Sequence, residues 1–283
     1  MHSTFSLARA ARLLLLLAAI LAAALPLQAL AGLMLNPTRV VFTKNQRAAQ
    51  VELINSDSTP ATYRISLVNR RMTESGEFTS VDTAGPDDRF ADAMLSFSPR
   101  QVTLLPGSAQ VVRVMLRKPA TLTPGEYRSH LHFEKLADTS GASSVEQQSA
   151  GTQQIGVVLN TLIGASIPVI VRHQTEGAKV TLGALDLQRG AKGALLSFQI
   201  GRSGDSSVYG DVSAAFAPQG GTEHLLAKAA GVAIYTPNPM RKASLNLTMP
   251  PGLPLAHGTL HLRFHERAEA GGAVLAEAAL ALP

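Results

Sequence analysis

No cysteine occurs among the 283 residues. The fold is therefore held by its hydrophobic core rather than by disulfides, and thiol nucleophiles and thiolate metal sites are excluded. Aromatic residues are only 5% of the chain, and its 25 basic residues are scattered rather than grouped around them. The stacking platforms and basic stripes of a nucleic-acid binder are missing, and no nucleic-acid partner is expected. There is no Gly-x-Ser-x-Gly, no phosphate-binding glycine loop and no dinucleotide fingerprint. His130 and His132 stand two apart on a strand-like run, a spacing that can chelate a metal, but their face is opposite Leu131 and Phe133 and solvent exposure accounts for it. His261 and His265 share a polar face with Arg263, and Gly204-Asp-Ser206 has the composition of a turn. The expectation is a protein that is not an enzyme and has no cofactor and no metal.

The start of the chain reads as a leader. Arg9 and Arg12 give a positive start, Leu13–Leu25 an apolar core, and Ala29-Leu30-Ala31 a small-x-small cleavage pattern. The apolar run is short for a membrane span. Residues 1–31 thus read as a cleaved secretory signal rather than a retained anchor, and Gly32 as the mature start. Losing Arg9 and Arg12 lowers the formal net charge from +5 to +3 (23 basic residues against 20 acidic), which is too mild to suggest a polyanionic partner. No later segment approaches spanning length, so the mature protein is expected to be soluble outside the cytoplasm, with no membrane span.

One stretch dominates the mature chain. Gln154–Val171 is uncharged, rich in β-branched residues, and reads as a single long strand. Ile155, Val157, Leu159, Thr161, Ile163, Ala165, Ile167, Val169 and Val171 share one face, whereas Gly156, Asn160, Gly164, Ser166 and Pro168 share the other. Pro168 cannot donate a ladder hydrogen bond, which favours an edge strand or a bulge. A long apolar edge is a liability that soluble proteins suppress, so either a neighbour covers it or it exists to pair with another chain. The preceding interval, Asp138–Gln154, is polar and Gly/Ser/Gln-rich and reads as a flexible loop.

Elsewhere short alternating runs succeed one another. Val51 and Leu53, then Tyr63, Ile65 and Leu67, point inward from successive runs, and Val112–Leu116 and Tyr127–Phe133 repeat the pattern. Turn signals separate them at Asn55–Pro60, Pro106-Gly107 and Pro124-Gly125. The result expected is an all-β chain of two β-sandwiches, residues 32–173 and 177–283, joined by a short linker at Gln174–Gly177. In the second half, Val208–Phe216, Leu225–Tyr235, Lys242–Met249 and Ala273–Leu282 are strand candidates, and no chemistry is visible.

Leu35-Asn-Pro-Thr-Arg-Val-Val-Phe42 resembles the opening strand of the PapD-like periplasmic pilus chaperones. Ser98-Pro99, then Leu105-Pro106-Gly107 with Gln110 and Arg113, is similar to their mid-domain signature. Leu122-Thr-Pro-Gly-Glu-Tyr-Arg-Ser129 is similar to the entry of the strand before the loop, and the long polar loop and longer strand resemble the long-loop branch. These pieces cover most of the first domain in the family's order; in the second, Ser207-Val-Tyr-Gly-Asp211 is the main likeness.

The resemblance implies two immunoglobulin-like domains set at an angle, residence in the periplasm, capture of pilin-like fimbrial subunits, and delivery to an outer-membrane usher. The chaperone lends its long strand to a subunit whose own sandwich lacks one. The donor residues implied are Ile155, Val157, Leu159, Thr161, Ile163, Ala165 and Ile167. Burying about five such side chains at about 1.5–3 kcal/mol each gives roughly 7–15 kcal/mol gross, less the costs of association and ordering. Arg39 matches the family's cleft arginine, which grips the subunit's terminal carboxylate through paired, charge-assisted hydrogen bonds. The family's cleft lysine is replaced by Pro168. Arg172 or Arg128 stands in for it, or both are outward strand residues. Exposed donor strands also suggest a self-capping homodimer. The competing expectation is a secreted two-domain adhesin or carbohydrate-binding structural protein whose long strand pairs internally.

Overall fold

A computed structural model describes residues 32–137, 164–190 and 193–283. Ile155, Val157, Leu159, Thr161 and Ile163, expected as donor positions, the interval 138–154, expected as a loop, and residues 1–31, expected as a leader, lie outside the described residues. The described chain is all β apart from two single-turn helices, and no helix in it is long and apolar enough to cross a membrane.

The first sandwich is built from β1 (Leu33–Asn36), β2 (Val40–Phe42), β3 (Ala48–Asn55), β4 (Ala61–Val68), β7 (Leu95–Ser98), β8 (Gln101–Leu104), β9 (Ala109–Leu116), β10 (Gly125–Lys135) and β11 (Gly164–His173). A hairpin, β5 (Arg70–Met72) and β6 (Phe78–Ser80), projects from it. One sheet has the order β1-β3-β9-β7, the other β2-β11-β10-β4-β8. Period-two alternation turns Val51, Leu53, Tyr63, Val112, Val114, Leu131, Phe133, Val169 and Val171 into one core between them. The first strand is split. β1 pairs antiparallel with β3; the chain then crosses at Pro37-Thr38, and β2 joins the other sheet parallel to β11.

The second sandwich packs a sheet of order β12-β13-β16 on one of order β15-β14-β17-β18. Its strands are β12 (Ala178–Gly190), β13 (Gly193–Gly204), β14 (Val208–Pro218), β15 (His224–Ile234), β16 (Met240–Leu247), β17 (Gly258–Glu266) and β18 (Val274–Leu282). Leu196, Phe198, Ile200, Val212, Phe216, Leu260, Leu262 and Phe264 fill it. Asp205 accepts the backbone N–H groups of Glu176 (2.8 Å) and Gly177 (3.0 Å), pinning the linker.

A third, smaller cluster joins the two. Met72 and Ile170 of the first sandwich bury against Ala233 and Tyr235 of the second, with Val41 and Tyr209 at its margin. The β5–β6 hairpin adds polar clamps: Asn238 Nδ2 donates to the Met72 carbonyl (2.8 Å) and the Lys242 N–H to the Glu74 carbonyl (2.7 Å). Gly76 has φ +90° and lies under the Arg241 guanidinium, where a Cβ would collide.

Candidate functional site

The seam is built on the face of β10 and β11 turned away from the first core. Antiparallel register sets Glu126 opposite Arg172, Arg128 opposite Ile170, and His130 opposite Pro168. Parallel register sets Val40 opposite Val169, so Arg39 stands level with Pro168 at the point where β2 begins. β2 covers only Val169–Val171. The outer edge of Gly164–Pro168 has no strand partner among the described residues. Pro168 thus sits where pairing stops, as a residue without an N–H must.

Ala165 and Ile167, the described end of the proposed donor face, are packed into the first sandwich, with Ile167 only 3% exposed. The alternating stripe is therefore continuous with the core. β10 follows β11 as far as the Glu134–Gly164 pair and ends at Lys135.

Glu126 is the electrostatic centre of the seam. Its side chain is 0% exposed. It accepts from Arg172 Nε (3.0 Å), from the Ser207 N–H (3.0 Å) and from the Ser207 hydroxyl. Arg172 Nη2 donates in turn to the Ser207 carbonyl (2.9 Å). This carboxylate is fully satisfied by groups from both sandwiches, which is the condition under which a buried charge is tolerated. Arg172 is thereby committed to the seam.

Arg128 is 5% exposed. Its Nη1 donates to the Thr236 carbonyl (3.3 Å), its Nη2 to the Arg70 carbonyl (3.1 Å), and its guanidinium lies 4.3 Å from the Tyr235 ring centre. Burial lowers its pKa to about 10, and Arg39 adds in the same direction. It remains charged at neutral pH. An outward strand residue in sequence terms, Arg128 is instead covered by the second sandwich.

Arg39 is half-buried and differently placed. Its guanidinium stands 4.7 Å from the Tyr209 ring centre and 5.4 Å from that of Tyr235. Its one side-chain hydrogen bond among the described residues runs from Nη1 to the Tyr235 hydroxyl at 3.5 Å. Burial lowers its pKa, and the attraction of Tyr235 and Glu126 offsets part of this. Of the three arginines, Arg172 and Arg128 each make two hydrogen bonds that hold the seam, whereas Arg39 makes a single long one among the described residues. A planar guanidinium held on two aromatic faces with donors unspent is suited to a carboxylate or another planar anion.

His130 requires a correction. It stands on the face that alternation gives it, but the ring is 2% exposed rather than solvated, because Phe78 of the hairpin packs edge-on against it at 5.1 Å. Neither ring nitrogen has a partner among the described residues, and burial lowers its pKa to about 3. No group of three or more metal-ligating side chains occurs among the described residues. His261 Nδ1 lies 3.2 Å from Glu277, which also binds Arg263.

Sequence reasoning missed Glu126, Tyr209, Tyr235 and the hairpin. A usable signal existed for the tyrosines, because the chain has only four and two of them meet here.

No protein-family model matches the chain, and no curated protein matches it. Among solved structures it is similar to the YadV chaperone, with a TM-score of 0.45 and 14% identity over 88% of this chain and 99% of that one. It is also similar to the CupB2 chaperone of Pseudomonas aeruginosa, with a TM-score of 0.42 and 13% identity over 88% and 100%. A third is the CsuC–CsuE chaperone–tip adhesion subunit pre-assembly complex from the archaic chaperone-usher Csu pili of Acinetobacter baumannii, with a TM-score of 0.43 and 11% identity over 88% and 97%. Likeness of this degree says nothing of activity.

Proposed function

We propose that the protein is a periplasmic chaperone that captures pilin-like subunits by donor-strand complementation and hands them to an outer-membrane usher, without catalysis. The observation that carries this reading is Arg39: an aromatic-supported guanidinium with unspent donors, level with the point where the edge of β11 becomes unpaired. A subunit's terminal carboxylate held there would set the register of a strand added along Gly164–Pro168 and onward through Ile155–Ile163. Because Ala165 and Ile167 already belong to the core, the donor side chains would extend that core into the subunit's open groove. Arg128, too engaged to bind directly, contributes positive potential in place of the lysine that Pro168 displaces.

The test is a tagged pull-down from the native, fibre-producing periplasm with wild type and Arg39→Ala, identifying co-purified chains by mass. A small secreted sandwich subunit retained by wild type and lost with Arg39→Ala is the expected result. Retention by both would keep the chaperone and remove Arg39 as its anchor. No partner in either would favour a secreted adhesin whose long strand is satisfied internally.

A further inference from the structure

Away from the cleft, the turn between β2 and β3, the end of β9 and the end of β11 enclose a cavity of about 370 Å³. Lys44, Arg47, Arg117, Lys118, Arg172 and His173 line it, and none of the described residues lining it is acidic. Only Arg172 has a carboxylate partner, Glu126. Lys44, Arg47, Arg117 and Lys118 form no salt bridge among the described residues.

Two details make this more than a solvated basic surface. Lys118 is half-buried, its Nζ donates to the Arg172 carbonyl at 3.1 Å, and burial lowers its pKa. The ammonium is thus anchored through one donor, with two left over. Lys44 and Gln174, which also borders the cavity, have φ of 50° and 51°. Left-handed backbone is uncommon away from glycine, and such strain gathers at binding sites. Like charges collected in one concavity raise one another's energy, and a bound anion relieves this. At about 30 Å³ per water the cavity has room for roughly a dozen waters, more than a single tetrahedral anion fills.

We propose that this pocket is a binding site for a polyanion bearing at least two phosphoryl groups. Mixed lysine and arginine donors suit phosphoryl oxygens, the ammoniums as point charges and the guanidiniums as bidentate forks. A compact, densely charged ligand fits a half-open cavity of this size better than an acidic peptide, whose carboxylates are spread along a chain. This site does not depend on subunit capture.

Isothermal titration of the mature chain with pyrophosphate tests it, with vesicles of cardiolipin, whose headgroup carries two phosphoryl groups, set against phosphatidylcholine vesicles as the lipid source of the same chemistry. Saturable binding of pyrophosphate is expected, at least ~10-fold weaker in Lys44→Glu/Arg117→Glu and unchanged in Arg113→Glu, an exposed β9 residue outside the pocket. If the charge reversal lowers the unfolding midpoint, Lys44→Gln/Arg117→Gln takes its place. Binding confined to cardiolipin vesicles and lost in the pocket variant assigns the phosphoryl groups to a lipid headgroup and upholds the site. No saturable binding from either source, equal weakening by Arg113→Glu, or tighter binding of a glutamate-rich peptide overturns it.

Discussion

On β11, Ala165, Ile167, Val169 and Val171 turn into the first sandwich, whereas Ile170 and Arg172 turn towards the second. The first face is apolar throughout and meets strands of its own domain. The second face mixes a proline, an isoleucine and an arginine, and meets residues roughly 35 to 65 positions further along the chain. The same backbone period serves two purposes, folding a domain and joining it to its neighbour. The faces differ in how charge is managed. The core contains none, while the seam holds a fully buried carboxylate that is stable only because Arg172 and Ser207 reach it together.

Substitutions separate the two faces. The largest effect is expected at the core: Phe133→Ala should cost about 3–5 kcal/mol, read by urea unfolding, with the loss in the first sandwich. At the seam, Arg172→Ala leaves the buried Glu126 charge without its cation, with Ser207 still donating to it, and should cost about 3 kcal/mol. The double variant Glu126→Gln/Arg172→Ala should recover part of that loss, and calorimetry of the single variant should resolve two transitions where wild type has one. Strict additivity in this cycle would remove Glu126 as the centre of the seam.

Acid acts on the seam through His130. Near neutrality its ring is uncharged in both folded and unfolded chains. Below about 6.5 the unfolded chain takes up a proton that the folded chain, with its value near 3, refuses. Stability should therefore fall as pH drops through this window, by at most about 1.4 kcal/mol per pH unit from this group, and level off near the lower value. His130→Gln should make the pH dependence of the unfolding free energy shallower by that amount; an unchanged slope would show that the ring is solvated in solution. The smallest effect on stability is expected for Arg39→Ala. Its side chain makes one long hydrogen bond and is already desolvated, so a change under about 1 kcal/mol is expected, in contrast to Arg172→Ala.

Much of the first sandwich was legible from alternation alone. Val51, Leu53, Tyr63, Ile65, Val112 and Val114 point inward as their spacing required, and in the second domain strands run at Val208–Pro218, His224–Ile234, Met240–Leu247 and Val274–Leu282, close to the runs marked by turns. Pro168 marked an edge, and the outer edge of β11 is without a strand partner from Pro168 back to Gly164 among the described residues, while β10 stays paired on the other side. Alternation also put His130 on the right face but could not say what lay above it. Phe78, Tyr209 and Tyr235 come to the cleft from distant segments, and no local pattern records their meeting.

The sequence by itself determined which residues alternate, where turns interrupt them, and that cores rather than disulfides hold the fold, because these properties come from backbone period and side-chain chemistry. Only the tertiary structure decided which charges are buried together, that Arg172 and Arg128 are spent on the seam, and that Arg39 is left with donors to offer. The physical reason is that desolvation and pairing depend on what stands within a few ångströms in space, and at this seam those neighbours come from the other domain.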